Sequence, residues 1–211
     1  PTQMARLFEG FDGAHTLALP ETPLPHFDCH ASLLDLPGIF GSTLETIPAP
    51  VNYITSDPEL TSAWAERLGP REDFRVGMVW GGNPEHTNDA KRSIDLGLLK
   101  PLIQIPGVSI YSLQVSRDGE AKAVFGDAIT DLAPELKDFA ETAAVIRNMD
   151  LVVSVDTAVA HLAGALGHQV WTLLPFMPDW RWLFDRDDNP WYPSMRLFRQ
   201  KTAGNWPGVI K

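Results

Sequence analysis

From residue 74 onward the chain alternates short apolar runs with longer amphipathic ones. FRVGMVW (74–80), VSIYSLQV (108–115), LVVSVD (151–156), QVWTLLP (169–175) and MRLFRQ (195–200) read as strands, the apolar ones buried. Between them, SIDLGLLKPLIQI (93–105) predicts a helix with Ser93 as N-cap and Pro106-Gly107 as its stop. ELKDFAETAAVIRNMD (135–150) predicts another, with Leu136, Phe139, Ala143, Ile146 and Met149 at helical spacing. TAVAHLAGALG (157–167) and DWRWLF (179–184) read as a helix and a short helix. Strands alternating with helices through short Gly, Pro and Asp loops predict an α/β fold, a parallel sheet covered on both faces.

The first third lacks this regularity. Residues 1–58 hold eight of the 18 prolines, which resist helix interiors and supply no backbone N–H. LPETPLPHFD (19–28) reads as a loop or crossing strand, SLLDLPGIFG (32–41) as a short helix or turn, and VNYIT (51–55) as a short strand. PELTSAWAERLG (58–69) predicts a helix opened by Pro58 and stopped by Gly69-Pro70. A domain boundary is expected near Gly69–Asp73. The opening PTQMARLFEG is helix-like, lacks an initiator Met and does not resemble a signal peptide, so the chain is expected to be a piece of a longer protein.

Composition narrows the class. With 44% hydrophobic and 21% charged residues, the 211-residue chain is an ordinary globular one, not a disordered one. A net charge of −10 argues against nucleic-acid binding through a broad basic face, though not against a local phosphate site. That charge resides wholly in residues 1–149, because residues 150–211 are neutral overall. A single cysteine, Cys29, excludes an intrachain disulfide framework and a Cys-rich zinc site, and points to a reducing, cytoplasmic compartment. No apolar run approaches the roughly 20 residues of a membrane-spanning helix. The histidines at 15, 26, 30, 86, 161 and 168 are scattered, with no H-x-x-x-H pair for a metal.

Three segments carry candidate chemistry. In SVDTAVAHLAGALG (154–167) a strand ends at Asp156 and a helix begins at once, at the sheet edge where α/β proteins place ligands. Free N–H groups at that helix start attract phosphate, Thr157 adds a hydroxyl, and Ala158 lets a ligand approach the backbone. His161 follows Thr157 by one helical turn. Taken singly, Asp156 reads as a plain helix cap and His161 as a packed core histidine; together, at this junction, they read as a ligand site. WGGNPEHTNDAKRSI (80–94) opens from a strand into a glycine-containing loop, with Lys91 and Arg92 just ahead of the expected helix. It has neither P-loop nor G-x-G-x-x-G spacing, and a solvated basic turn is the competing reading, stronger for Arg92 than for Lys91. The third segment, 171–193, begins a stretch holding five of the seven tryptophans, which read as core cover ahead of a stacking wall; Asp179 and Arg181 are its candidate ligand groups. His30 in FDCHASLLDLP reads mainly as a local hydrogen-bonding residue.

VSVDTAVAHLAGALGHQVWTLLP resembles the C-terminal nucleotide-binding motif of glycosyltransferase family 9, the ADP-heptose:lipopolysaccharide heptosyltransferases. VGMVWGGNPEHTNDAKRSIDL resembles the first C-lobe strand and phosphate loop of that family. FDCHASLLDLPGIFGSTLETIPA, LPFMPDWRWL and PWYPSMRLFRQ resemble a subgroup found at the C-terminus of bacterial tetratricopeptide-repeat proteins. The resemblance implies a GT-B fold: residues 71–211 a Rossmann-like, nucleotide-sugar-binding C-terminal lobe, and residues 1–70 a remnant of the acceptor-side N-terminal lobe. It implies a nucleotide-diphosphate sugar as donor substrate, a saccharide or protein acceptor, no cofactor and no metal. Lys91, Asp156, Thr157, Ala158 and His161 would contact the diphosphate and sugar, and Glu120 the ribose. Ala158 stands where the family often has Gly. The family's acidic catalytic base has no matching position, since two lobes of about 150 residues each exceed this chain. A catalytically silent interaction module of a repeat protein is the alternative; a sugar-nucleotide epimerase of the same fold is a third reading, for which no acid/base pair is found.

Overall fold

The computed structural model describes residues 2–9, 11–12, 16–19, 22–117 and 119–211. His15, Pro1, Pro20 and part of the LPETPLPHFD segment lie outside the described residues. Six strands form one sheet: β1 (Phe74–Val79), β2 (Val108–Ser112), β3 (Thr130–Asp131), β4 (Leu151–Val155), β5 (Val170–Leu174) and β6 (Met195–Arg199). Their spatial order is β3-β2-β1-β4-β5-β6, and every neighbouring pair is parallel. This is a doubly wound order, in which the chain reverses direction across the sheet between β1 and β4.

Alternate side chains feed two cores. Val76 and Met78 from β1, with Trp80 just after it, join Leu151, Val153 and Val155 from β4 on one face. Val79 and Val152 face the other layer, built by Ala143, Val145 and Ile146 of the Phe139–Arg147 helix with Leu162, Ala163 and Leu166. All five residues of β4 are buried, as a central strand covered on both sides requires.

Residues from the first third complete the second layer. The Pro58–Leu68 helix is capped by Asp57, whose carboxylate accepts from the Glu59 and Leu60 amides, and ends at Gly69, whose φ of 72° suits glycine. Its Trp64 is 4% exposed and donates its indole N–H to Glu141 at 2.6 Å. The buried Arg75 of β1 donates to the carbonyls of Leu68, Gly69 and Pro70, tying the end of that helix to the sheet. The Ile54 amide donates to the Ala165 carbonyl at 3.3 Å.

Several local expectations change. VNYIT is not a strand: Val51 and Asn52 turn, with Asn52 at φ 63°, and only Ile54 reaches the core. The 93–105 helix is replaced by a 3-10 turn, Leu96–Leu99, and one helical turn, Lys100–Ile103, capped by Asp95 rather than Ser93. Gly97 and Pro101 interrupt what apolar spacing alone suggested. Ser93 instead ends a one-turn helix, Asp89–Arg92, so Lys91 lies inside a helical turn and not ahead of one. The 135–150 helix is confined to Phe139–Arg147 because Asp138 caps it by accepting from the Glu141 amide.

Candidate functional site

The crevice at the switch point is built from the ends of three strands. β1 runs into Trp80-Gly81-Gly82, whose backbone is held open by side chains. The Gln114 side-chain carbonyl accepts from the Trp80 and Gly81 amides at 3.1 and 2.8 Å. The Ser93 hydroxyl accepts from the Gly82 amide at 3.3 Å. A side chain on Gly81 would collide with the Arg117 guanidinium, and one on Gly82 with that of Arg92. The two glycines therefore serve close approach rather than unusual dihedrals.

Those two arginines converge on Asp89, which is 6% exposed. Arg117 Nη2 donates to its Oδ2 at 2.6 Å and Arg92 Nε to its Oδ1 at 3.3 Å. Arg92 Nη1 then crosses the crevice to the Asp156 carbonyl at 3.1 Å. Its side chain is 17% exposed, so the solvated-turn reading of Arg92 fails. Lys91, on the same turn, faces the crevice.

At the end of β4, the Thr157 hydroxyl lies 3.0 Å from the Ser154 hydroxyl. Thr157 is the N-cap residue of the Ala158–Ala165 helix, and among the described residues its side chain makes no capping hydrogen bond to that helix. Asp156 is not the cap expected of it in isolation; its Oδ1 lies 4.0 Å from His161 Nε2. The His161 ring stacks on Trp182 at 4.8 Å between centroids. Burial pushes its pKa below the ordinary histidine value; Arg181 adds to this, and Asp156 and Asp179 oppose it. Past β5, the Asp179 carboxylate accepts from the Arg181 amide and guanidinium at 3.1 and 2.7 Å. The guanidinium also lies over the Trp180 ring at 4.7 Å.

Lys91, Asp156, Thr157, Ala158 and His161 thus line one cavity of about 460 Å³, with Arg92, Asp179 and Arg181. A second cavity of about 340 Å³ lies on the β2 side, lined by Gly81, Gly82, Gln114, Leu136, Phe139 and Thr142 among others. Arg92, Thr157 and Ala158 border both. Glu120 lines neither: it accepts from the Trp80 indole N–H at 3.1 Å and neighbours Arg117. His30 is exposed, against Phe27 at 6.0 Å between ring centroids. Asp89, Gln114, Arg117 and Tyr192 were not singled out from sequence. No local motif marks them, because each acts through a partner at least 24 residues away. Among the described residues, no group of three or more His, Cys, Asp and Glu side chains gathers as a metal site would, and no helix is long and apolar enough to cross a membrane.

The sequence model of glycosyltransferase family 9 (heptosyltransferase) matches residues 115–179. That stretch includes Glu120 and the Asp156–His161 junction but stops short of Lys91 on its N-terminal side. Protein FlbA of Caulobacter vibrioides is 30% identical over 192 residues, covering 85% of this chain and 31% of that protein. The chain therefore spans about a third of the length of this curated relative. The structure of E. coli ADP-heptose LPS heptosyltransferase II superposes with a TM-score of 0.53 at 18% identity, over 75% of this chain and 49% of that one. The α/β architecture with its all-parallel sheet is thus similar to that of a GT-B heptosyltransferase.

Proposed function

We propose that the chain carries the nucleotide-sugar-binding lobe of a family 9 glycosyltransferase, residues 71–211, with residues 1–70 the tail of an acceptor-side lobe. The observation that carries this reading is the convergence of Lys91 with Asp156, Thr157, Ala158 and His161 in one cavity at the switch point. Lys91 supplies a cation, and the Ala158–Ala165 helix start supplies amide donors and the positive end of its dipole. A diphosphate fits both, and the pair would stabilise the charge that develops as an acceptor nucleophile displaces the nucleoside diphosphate from the anomeric carbon. The reading assigns that charge to Lys91 and the helix start rather than to a metal ion. It places the enzyme in the cytoplasm, within a longer chain bearing tetratricopeptide repeats and acting on a saccharide or protein acceptor. Family 9 matching of 115–179 supports the donor side of this reading.

Calorimetric titration with ADP, GDP, UDP and CDP tests it, with and without EDTA. Binding of at least one, unchanged by EDTA, is expected, and Lys91→Ala should weaken it about tenfold to a hundredfold, the worth of a hydrogen bond to a charged group. Asp156→Ala should weaken it as well. Unchanged affinity in both variants removes the site assignment. Silence toward all four nucleotides supports the second reading, a binding module. That reading has its own observation: a groove of about 550 Å³ walled by Leu33, Leu34, Trp180 and Trp191, in which Trp180 is 57% exposed.

A further inference from the structure

His161 stands between the crevice and the aromatic wall, and its two ring nitrogens meet different chemistry. Nε2 lies 4.0 Å from Asp156 Oδ1. Nδ1 lies 3.0 Å from the Tyr192 hydroxyl. The ring cannot swing freely, because Trp182 stacks on one face with planes 24° apart and Tyr192 meets it edge-on at 5.7 Å.

A carboxylate only accepts, whereas a hydroxyl donates or accepts. With the imidazole proton on Nε2, the N–H points its positive end toward Asp156 while Tyr192 donates to the Nδ1 lone pair. With the proton on Nδ1, an Nε2 lone pair faces the Asp156 carboxylate across 4.0 Å in a half-buried place, which is unfavourable. The partner of one nitrogen thereby decides the state of the other. We propose that Asp156 selects the Nε2–H tautomer of His161 and that Tyr192, donating to Nδ1, is a positioning residue that holds the ring in it, so that His161 offers the crevice a hydrogen-bond donor and not a proton-accepting nitrogen.

The surroundings agree. Burial pushes the Tyr192 hydroxyl above its ordinary pKa, so it keeps the proton it donates. Burial, joined by Arg181 and opposed by Asp156 and Asp179, lowers the imidazole pKa from its ordinary value and so favours the neutral ring. A donor at this position suits a phosphate oxygen, which is where the inference rests on the nucleotide-binding reading. It also means that the acceptor's proton goes to a group other than His161.

Long-range imidazole ¹H–¹⁵N correlation spectra of the whole chain at pH 7.5, with no ligand added, test this directly. The expected result is a protonated, pyrrole-type Nε2 and an unprotonated Nδ1 shifted upfield by an accepted hydrogen bond. In Tyr192→Phe, which keeps the ring, the Nδ1 signal should move downfield to the position of a free lone pair. A pyrrole-type Nδ1 in the unaltered protein overturns the proposal even if the variant does not fold. An unmoved Nδ1 signal in a folded Tyr192→Phe overturns it too. Because no nucleotide is present, failure of the nucleotide-binding reading cannot be mistaken for failure of this one.

Discussion

Acid should loosen this fold through one side chain, His168. It follows the Ala158–Ala165 helix, with its amide donating to the Ala163 carbonyl at 2.9 Å. Its Nε2 is buried and, among the described residues, has no hydrogen-bond partner. Burial pushes its pKa from 6.5 to about 4, with Arg147 and Arg71 adding to the shift and Asp150 opposing it. The folded state thus favours neutral imidazole, whereas the unfolded chain takes up a proton near pH 6.5. Above pH 6.5 both states are neutral and the group imposes no penalty. Between pH 6.5 and 4 the unfolded state binds more protons, so stability falls as pH falls. At 1.36 kcal/mol per pKa unit the full loss by pH 4 is about 3 kcal/mol. Urea unfolding of the unaltered protein and of His168→Gln at half-unit steps from pH 7.5 to 4 reads this out. The variant should show a shallower decline, the difference between the two curves changing by about 3 kcal/mol across the window. Parallel curves would refute the claim that His168 is held neutral by its surroundings.

Other substitutions probe the crevice and its support. Gly82→Ala should lower stability by about 1–3 kcal/mol, because the new methyl meets the Arg92 guanidinium and must break its bond to the Asp156 carbonyl. An unchanged melting temperature would show that Arg92 moves aside freely. Asp89→Asn leaves Arg92 and Arg117 without their shared carboxylate and should lose about 3 kcal/mol in urea unfolding, since both side chains are largely buried. Trp182→Ala empties a fully buried site and unstacks His161; a loss of about 3–5 kcal/mol is expected in the same assay, and a loss under 1 kcal/mol contradicts the packing.

What could be read from sequence follows a physical divide. The core strands carry their own signature, since β1, β4 and β5 are nearly continuous apolar runs that a two-sided parallel sheet demands. The Asp156–His161 junction was legible because a strand end and a helix start lie next to each other in the chain. Lys91 was legible as a basic residue after β1, but the helical turn that aims it, Asp89–Arg92, was not. Four residues carry too little periodicity to announce a helix. Arg92 was misread because a side chain's burial depends on Asp89, Arg117 and the Asp156 carbonyl, groups that sequence places 3 to 64 positions away. VNYIT failed as a strand for the same reason. Its β-branched and aromatic residues fit a pleated surface, yet Asn52 turns the chain against the end of the Ala158–Ala165 helix.

The margins of the sheet bear on how the protein behaves at high concentration. An open sheet ends in two strands whose outer backbone groups invite another chain to pair with them. Here β3 contributes two residues only, too few to template a partner. Along β6, the outer side is already engaged, with Asp188 bridging Arg196 antiparallel and the Leu197 amide donating to the Asp187 carbonyl at 2.7 Å. The 185–189 loop therefore acts as a selvage that finishes the fabric. Loosening it, rather than disturbing either core, is the change that would open the native fold to edge-to-edge aggregation.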